Sequence, residues 1–301
     1  MKKVKKDESV LSKIRKQYHE ALLADVIRIR KNAKKHTESP NFADSSSASS
    51  STIAWNILRQ IGGSEDHSNL SDQTLGKRFE EKTRDYLEKA FGELQHLRPG
   101  KWSYTVGEKK VSIADFDQYE HLISWAKFVE QLEKQDAFLA SSFGGGYIVK
   151  PDIVIGRKSV TDSEINVSGR NIVGKDGLAS HTPLRSGNCG GREILHASIS
   201  CKWTIRSDRS QNARTEALNL IRNRRGNLPH IIAVTAEPMP TRLITLALGT
   251  GDLDCVYHFA LQELKTAVLE VGNDEQREAF ENMMQSRRLR DISDVPFDLA
   301  I

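Results

Sequence analysis

Cysteine is scarce in this chain. Its three residues, Cys189, Cys201 and Cys255, are odd in number, and their spacing suits neither a disulfide framework nor a zinc site. A reducing, cytoplasmic setting is the expectation. No apolar run is long enough to cross a bilayer as a helix. The first residues, MKKVKKDESVLSKIRKQYHE, start basic but have no apolar run behind them, so a secretory signal is not expected. There is no internal repeat. A large charge excess is also missing, since the net charge is +4 over 301 residues, of which 28% are charged and 38% hydrophobic. A chain of this size can bury a sizeable core as one large domain or two small ones. Any nucleic-acid surface must come from local clustering of charge.

The charge does cluster. Residues 194–226 read ILHASISCKWTIRSDRSQNARTEALNLIRNRRG. Leu195, Ala197, Ile199 and Cys201 alternate with His196, Ser198, Ser200 and Lys202. That is a strand pattern with one apolar and one polar face, and it puts Ser200 and Lys202 on the same side. A polar loop, WTIRSDRS, follows. A helix is expected from about residue 211, with Ser210 as N-cap and Gly226 as its stop. Ala213, Ala217 and Leu220 form its apolar stripe, and Glu216 falls within that stripe. Between Ser200 and Gly226 lie seven basic residues and two acidic ones, a local net of +5. Arginine predominates, and its planar fork matches both phosphate and the guanine edge. A solvated helix face is the alternative for Arg222, Arg224 and Arg225. It explains the Arg206-Ser207-Asp208-Arg209 run less well.

In chain order, residues 8–35 have helical spacing, with Val10, Leu11, Ile14, Tyr18, Leu22, Ile27 and Ile29 as the apolar members. SPNFADSSSASSST reads as a loop. A short helix is expected over 53–61, ended by Gly62 and Gly63. A longer one covers 72–96, with Leu75, Phe79, Tyr86, Leu87, Ala90 and Phe91 as its core stripe. Glu80 and Glu81 sit beside that stripe, where glutamates are usually surface residues. Another helix is expected over 113–139, with Phe116, Tyr119, Leu122, Ile123, Trp125, Ala126 and Phe128 inward. SSFGGG is a turn, and YIVKPDIVIG is a β-branched run interrupted by Asp152. An unpaired buried carboxylate is costly, so Asp152 needs a cation, donors or a strand end. Residues 157–192 read as a long surface excursion with a minor hairpin. LPHIIAVTAE and DCVYHFA are strands, Pro238 and Pro240 break the chain, and helices are expected over 261–271 and across NDEQREAFENMMQSRRLRD. Strands separated by helices argue an α/β fold with a central mixed sheet.

Asp152, Lys202 and Glu216 form a candidate site. Two carboxylates can hold a hard divalent cation through oxygen. A lysine beside them can orient water and stabilise charge on phosphorus. Pro151-Asp152, Ser200-Cys201-Lys202 and Glu216 together resemble the permuted PD-(D/E)xK active site of type II restriction endonucleases that recognise a CCGG core. In that group the second carboxylate has moved from the lysine strand to the following helix, and Ser200 stands where the permutation requires. SCKWT, RSDR, QNAR, SDQTLGKRFE and the Pro-Thr-Arg242 arginine extend the resemblance over most of the chain.

The resemblance implies a restriction-endonuclease-like core in a single domain, mainly helical over 1–140 and catalytic over 141–301. Asp152, Glu216 and the backbone carbonyl of Cys201 would bind Mg2+. Lys202 would work on the attacking water, with Ser200 and Glu80 as further active-site members. Arg206, Asp208 and Arg209 match the residues that read CCGG in the major groove. The chemistry agrees, since arginine donates to guanine O6 and N7 and aspartate accepts from cytosine N4. Gln73 and Arg242 match positions that read the outer pair in a relative cutting GCCGGC. The implied partner is double-stranded DNA. The implied reaction cuts G/CCGGC, leaving 5′-phosphates and four-base 5′ overhangs. The implied assembly is a homodimer, further paired into a homotetramer that binds two sites. A cognate methyltransferase would be needed to protect the host. Rival readings are a nuclease for another CCGG-containing site, a repair or junction nuclease, and a non-cleaving DNA-binding protein.

Overall fold

The computed structural model describes residues 8–32, 36–63, 66–68, 71–106, 111–136, 138–139, 149–188, 190–205, 207–249 and 251–301. Three early helices start on serine caps: α1 (Val10–Asp25), α2 (Ala48–Gln60) and α3 (Asp72–Gly92). The side chains of Ser9, Ser47 and Ser71 each accept from a backbone N–H three residues on, at 3.1, 3.3 and 3.2 Å. Between α1 and α2 lies an antiparallel hairpin, β1 (Ile29–Asn32) with β2 (Thr37–Pro40).

Two expectations fail here. The first helix stops ten residues early because Arg28 turns back onto it, donating to the carbonyls of Ala24 at 2.8 Å and Ile27 at 2.7 Å. Ile27 and Ile29 are buried, but outside the helix, and Val10 is exposed. The second helix begins inside the serine-rich segment, because Ser47 can cap it. By contrast α3 buries all six expected core residues.

Next come β3 (Trp102–Val106), which the sequence pattern did not announce, two 3-10 turns (Ile113–Asp115 and Asp117–Leu122) and α4 (Ile123–Gln135). The expected 113–139 helix is α-helical only in its second part. Its first part buries Phe116, Tyr119 and Leu122, while Phe128 is 45% exposed. SSFGGG lies outside the described residues. The longer elements that follow are β4 (Ile153–Arg157), β5 (Ile194–Lys202), α5 (Ser207–Asn223), β6 (His230–Thr235), α6 (Pro240–Ala247), β7 (Cys255–His258), α7 (Leu261–Val271), α8 (Asp274–Gln285) and the short β8 (Leu289–Asp291). The last expected helix is therefore shorter. Arg287 takes a left-handed φ of 56°, and the chain re-enters the sheet as β8.

Six strands are hydrogen-bonded in the order β3-β4-β5-β6-β7-β8. The fold is α/β, with a mixed central sheet flanked by helices. Its contacts divide into two units. One comprises Pro99–Ser200 and Asn212–Ile231. Here β3, β4 and β5 pair antiparallel, with a bulge at Ile155/Gly156. Gly156 leaves room for a neighbouring side chain, since a Cβ there would lie 2.2 Å from Glu193 Oε2 and the carboxylate would have to move. Gln118 anchors the 3-10 segment by exchanging two bonds with the Leu195 backbone, at 2.8 and 2.9 Å. Among its described residues the 157–192 excursion shows a single parallel bridge, Val160 with Arg185, rather than a hairpin. It carries a short helix (Asp162–Ile165) and is tied together by Arg185, which grips Asp162 at 2.9 and 2.8 Å.

The other unit comprises Met1–Arg98, Cys201–Gln211 and Ile232–Ile301. Within it β6, β7 and β8 run parallel, joined by crossovers that carry α6 and then α7 and α8. Helix α1 packs on α3, α2 on α7, and α6 on α8. Arg15 of α1 bridges Glu263 and Asp291 at 2.6 and 2.8 Å.

Candidate active site and nucleic-acid interface

Asp152 stands one residue before β4, half-buried, behind the buried Pro151. Proline cannot donate to a ladder, which favours a strand beginning just after it. The register pairs Ile153 with Ile199, so one further step sets Asp152 across from Ser200. Ser200 and Lys202 share a face of β5 by strand alternation. The expectation of one polar face on β5 needs correction. His196 and Ser198 are buried too, because β5 is an inner strand covered on both sides. His196 lies between the rings of Trp102 and His230, at 4.6 and 5.0 Å. The Ser200 hydroxyl is buried, and among the described residues nothing bonds to it.

Glu216 lies on α5. The expected stripe of Ala213, Ala217 and Leu220 is buried, and Glu216 is half-buried within that pattern. Tyr119 secures this turn by donating to the Leu220 carbonyl at 3.0 Å. At the end of α5, Arg224 bonds the Ile221 carbonyl, so its charge serves the helix terminus rather than an open basic face.

Beyond Lys202 the chain is fixed by packing. Trp203 meets Phe79 of α3 edge-on at 4.9 Å and Phe42 at 5.9 Å. The residue after Phe79 is Glu80, half-buried on α3. Gln73 is exposed in the first turn of the same helix. Seven residues apart, Gln73 and Glu80 share one helix face, about 10 Å apart along the axis.

The supposed reading loop is largely helix. α5 starts at Ser207, so Asp208 and Arg209 occupy its first turn and Ser210 is not a cap. Arg206 lies outside the described residues, as do the side chains of Asp208 and Arg209.

Arg242, in the first turn of α6, forms an ion pair with Asp44. Asp44 also accepts from the Ser46 hydroxyl at 2.6 Å and the Ser46 N–H at 2.9 Å. These bonds, Ser46 first and Arg242 second, hold its carboxyl at about 2. Sequence reasoning overlooked Asp44, whose only local signal is its place ahead of the serine run.

The ligands expected from the sequence, the carboxylates of Asp152 and Glu216 and the Cys201 carbonyl, are all oxygen donors, the chemistry that a hard cation such as magnesium takes. A buried Ser200 hydroxyl lacking a protein partner fits the neighbourhood of a hydrated ion. Among the described residues no three His, Cys, Asp or Glu side chains cluster for a metal. A site using two carboxylates and a carbonyl does not require such a cluster.

The chain matches the NgoMIV restriction enzyme family over residues 18–301. It is 45% identical over 262 residues to the type II restriction enzyme NgoMIV of Neisseria gonorrhoeae, covering 86% of this chain and 89% of that protein. Among solved structures it resembles restriction endonuclease PspGI in a substrate DNA complex (TM-score 0.34, 16% identity, 96% of this chain and 91% of that one). It also resembles the type IIF restriction endonuclease Bse634I with cognate DNA (TM-score 0.34, 10% identity, 84% and 99%). The class is therefore that of the type II restriction endonucleases, nucleases that hydrolyse DNA. The chain belongs to the NgoMIV restriction enzyme family.

Proposed function

We propose that this endonuclease is magnesium-dependent and cuts both strands of palindromic G/CCGGC, leaving 5′-phosphates and four-base 5′ overhangs. The observation that carries the reading is the β4–β5 register, which sets Asp152 across from Ser200, two residues before Lys202. Asp152, Glu216 and the Cys201 carbonyl would hold the ion. Bound magnesium supplies Lewis acidity toward the phosphate. Lys202 orients and polarises the attacking water and offsets charge on the pentavalent phosphorus. Glu80 adds a carboxylate, and Ser200 offers its hydroxyl. Arg206, Asp208 and Arg209 read CCGG, while Gln73 and Arg242 read the outer pair.

A palindromic target requires two-fold symmetry, hence a homodimer, and the CCGG-family resemblance supports a homotetramer of two dimers. The 301 residues are read as one domain, because the chain crosses between its two contact units four times, after residues 98, 200, 211 and 231. Cys201 and Cys255 are buried, which suits a cytoplasmic protein.

The test is magnesium-dependent digestion of a plasmid of known sequence, with the ends mapped. Fragments that all begin 5′-CCGG and derive from GCCGGC support every element of the reading. Cuts at CCGG with other flanks remove the outer-pair assignment. Sequence-specific retardation without cleavage removes the nuclease assignment.

A further inference from the structure

A buried carboxylate holds the backbone beside both proposed base-reading segments. Glu237 is 1% exposed. Its Oε2 accepts from the Ile205 N–H at 2.9 Å, and its Oε1 accepts from the Met239 N–H at 3.2 Å. Its own N–H donates to Thr235 Oγ1 at 3.1 Å. The preceding residue, Ala236, donates its N–H to the Lys202 carbonyl at 3.3 Å. Ile205 immediately precedes Arg206 in sequence. Met239 is the N-cap of α6, and its carbonyl accepts from the N–H groups of Arg242 and Leu243 at 2.9 and 3.0 Å. One side chain thus bridges the backbone that leads into 206–209 and the backbone from which Arg242 springs.

We propose that Glu237 is a positioning residue for sequence discrimination, fixing the backbone at Ile205 against the N-cap of α6 so that inner and outer base pairs are read in one register. It acts through backbone amides and touches neither DNA nor metal. The inference rests on the base-reading roles proposed above. An apolar residue of equal size would bury more cheaply but could accept neither bond. The charged groups facing Glu237 are Arg242 of α6 and Asp44 of the segment ahead of α2. Burial pushes the Glu237 carboxyl up to about 7, so the same bonds also carry a pH signature.

The test is Glu237→Gln, compared with wild type for cleavage of the wild-type site and its single-pair variants. Glutamine keeps the size but has one accepting oxygen, so its NH2 group must face a backbone N–H. The ratio of cognate to variant cleavage is expected to fall about tenfold, the scale of one lost bond to a charged group. A purely structural role would scale all sites alike, and an unchanged ratio overturns the proposal. Should the variant fail to fold, the wild-type ratio decides. Taking a ratio cancels the chemistry common to all sites, and it should fall as the pH drops through 7. A ratio that stays flat while the Glu237 carboxyl titrates overturns the proposal. Arg209→Ala and Arg242→Ala serve as controls. If they leave the ratio unchanged, the base-reading assignment fails and this inference with it. If they lower it while Glu237→Gln does not, this inference alone fails.

Discussion

Arg242 is joined to Asp44, a residue 198 positions earlier, by a charge-assisted hydrogen bond. The pair ties the first turn of α6 to the segment that leads into α2. Asp44 is held at about 2, so it stays ionised at any working pH, and its stabilising contribution is lost only as the pH falls from 3.8 through about 2. Asp44→Asn should cost less than about 1 kcal/mol of stability, because the pair is partly exposed. Freed from its partner, Arg242 should lose orientation, and discrimination at the outer base pair should weaken. Thermal unfolding beside cleavage of outer-pair variants separates the two effects. Unaltered outer-pair preference would mean that Asp44 does not orient Arg242.

Lys202 is the last residue of β5, where its carbonyl is bonded by Ala236 and its neighbour Trp203 is packed against Phe79. These contacts are made by the backbone and by Trp203. Lys202→Ala should therefore keep the fold, by circular dichroism, and lower single-turnover cleavage by about 10³-fold. Cutting at the normal rate would remove Lys202 from the chemistry.

Asp152 stands outside the β4 ladder, so its side chain can be changed without breaking strand pairing. Asp152→Ala should abolish magnesium-dependent cleavage yet still retard DNA bearing the site. Calorimetric titration with magnesium in the presence of DNA should show weakened binding of the ion. Full metal affinity and full activity together would place the cation elsewhere.

Arg209 lies in the first turn of α5, at the positive end of the helix dipole. If it reads guanine, Arg209→Ala should cost about 1–3 kcal/mol at one position of the CCGG core. A phosphate contact would instead weaken all sites evenly and reduce the salt dependence. Competition binding with each single-base variant at two salt concentrations distinguishes the outcomes.

Elements with one dominant local signal were legible from the sequence. The α7 helix spans the expected 261–271, and β5 begins one residue before the expected strand. The core stripe of α3 is complete. What escaped was set by distant partners. Ile27 and Ile29 continue a helical phase, but the helix ends before them, where Arg28 reaches back to the α1 carbonyls of Leu23 and Ala24. His196 looks solvent-facing by alternation, but aromatic rings from elsewhere in the chain cover it. The site divides in the same way. Asp152, Ser200, Lys202 and Glu216 sit in recognisable patterns. Asp44 and Glu237 take meaning from partners across the sequence, Arg242 for one and backbone amides for the other. Glu237 did leave a trace, an acid two residues past the strand HIIAVT, whose residues are nearly all buried, where a buried charge must find donors.

Glu237 also gives the enzyme a predicted pH signature in stability. Its carboxyl is raised from 4.5 to about 7 by burial, against the opposing pull of the Ile205 and Met239 amides and Arg242. A raised carboxyl favours folding only while it is protonated. That contribution is complete below 4.5 and is lost as the pH rises through 7. The difference is on the order of 3 kcal/mol. Asp291 and Glu263, paired with Arg15, are lowered and act oppositely, since their contribution is present above their ordinary values and fades in acid. The two effects occupy different windows. Glu237→Gln carries no titrating group, so relative to wild type it should gain stability as the pH rises from 4.5 to 7. Urea unfolding of both proteins across that window measures the difference. Parallel curves would mean that Glu237 is ionised throughout, its two amide bonds outweighing the cost of burial.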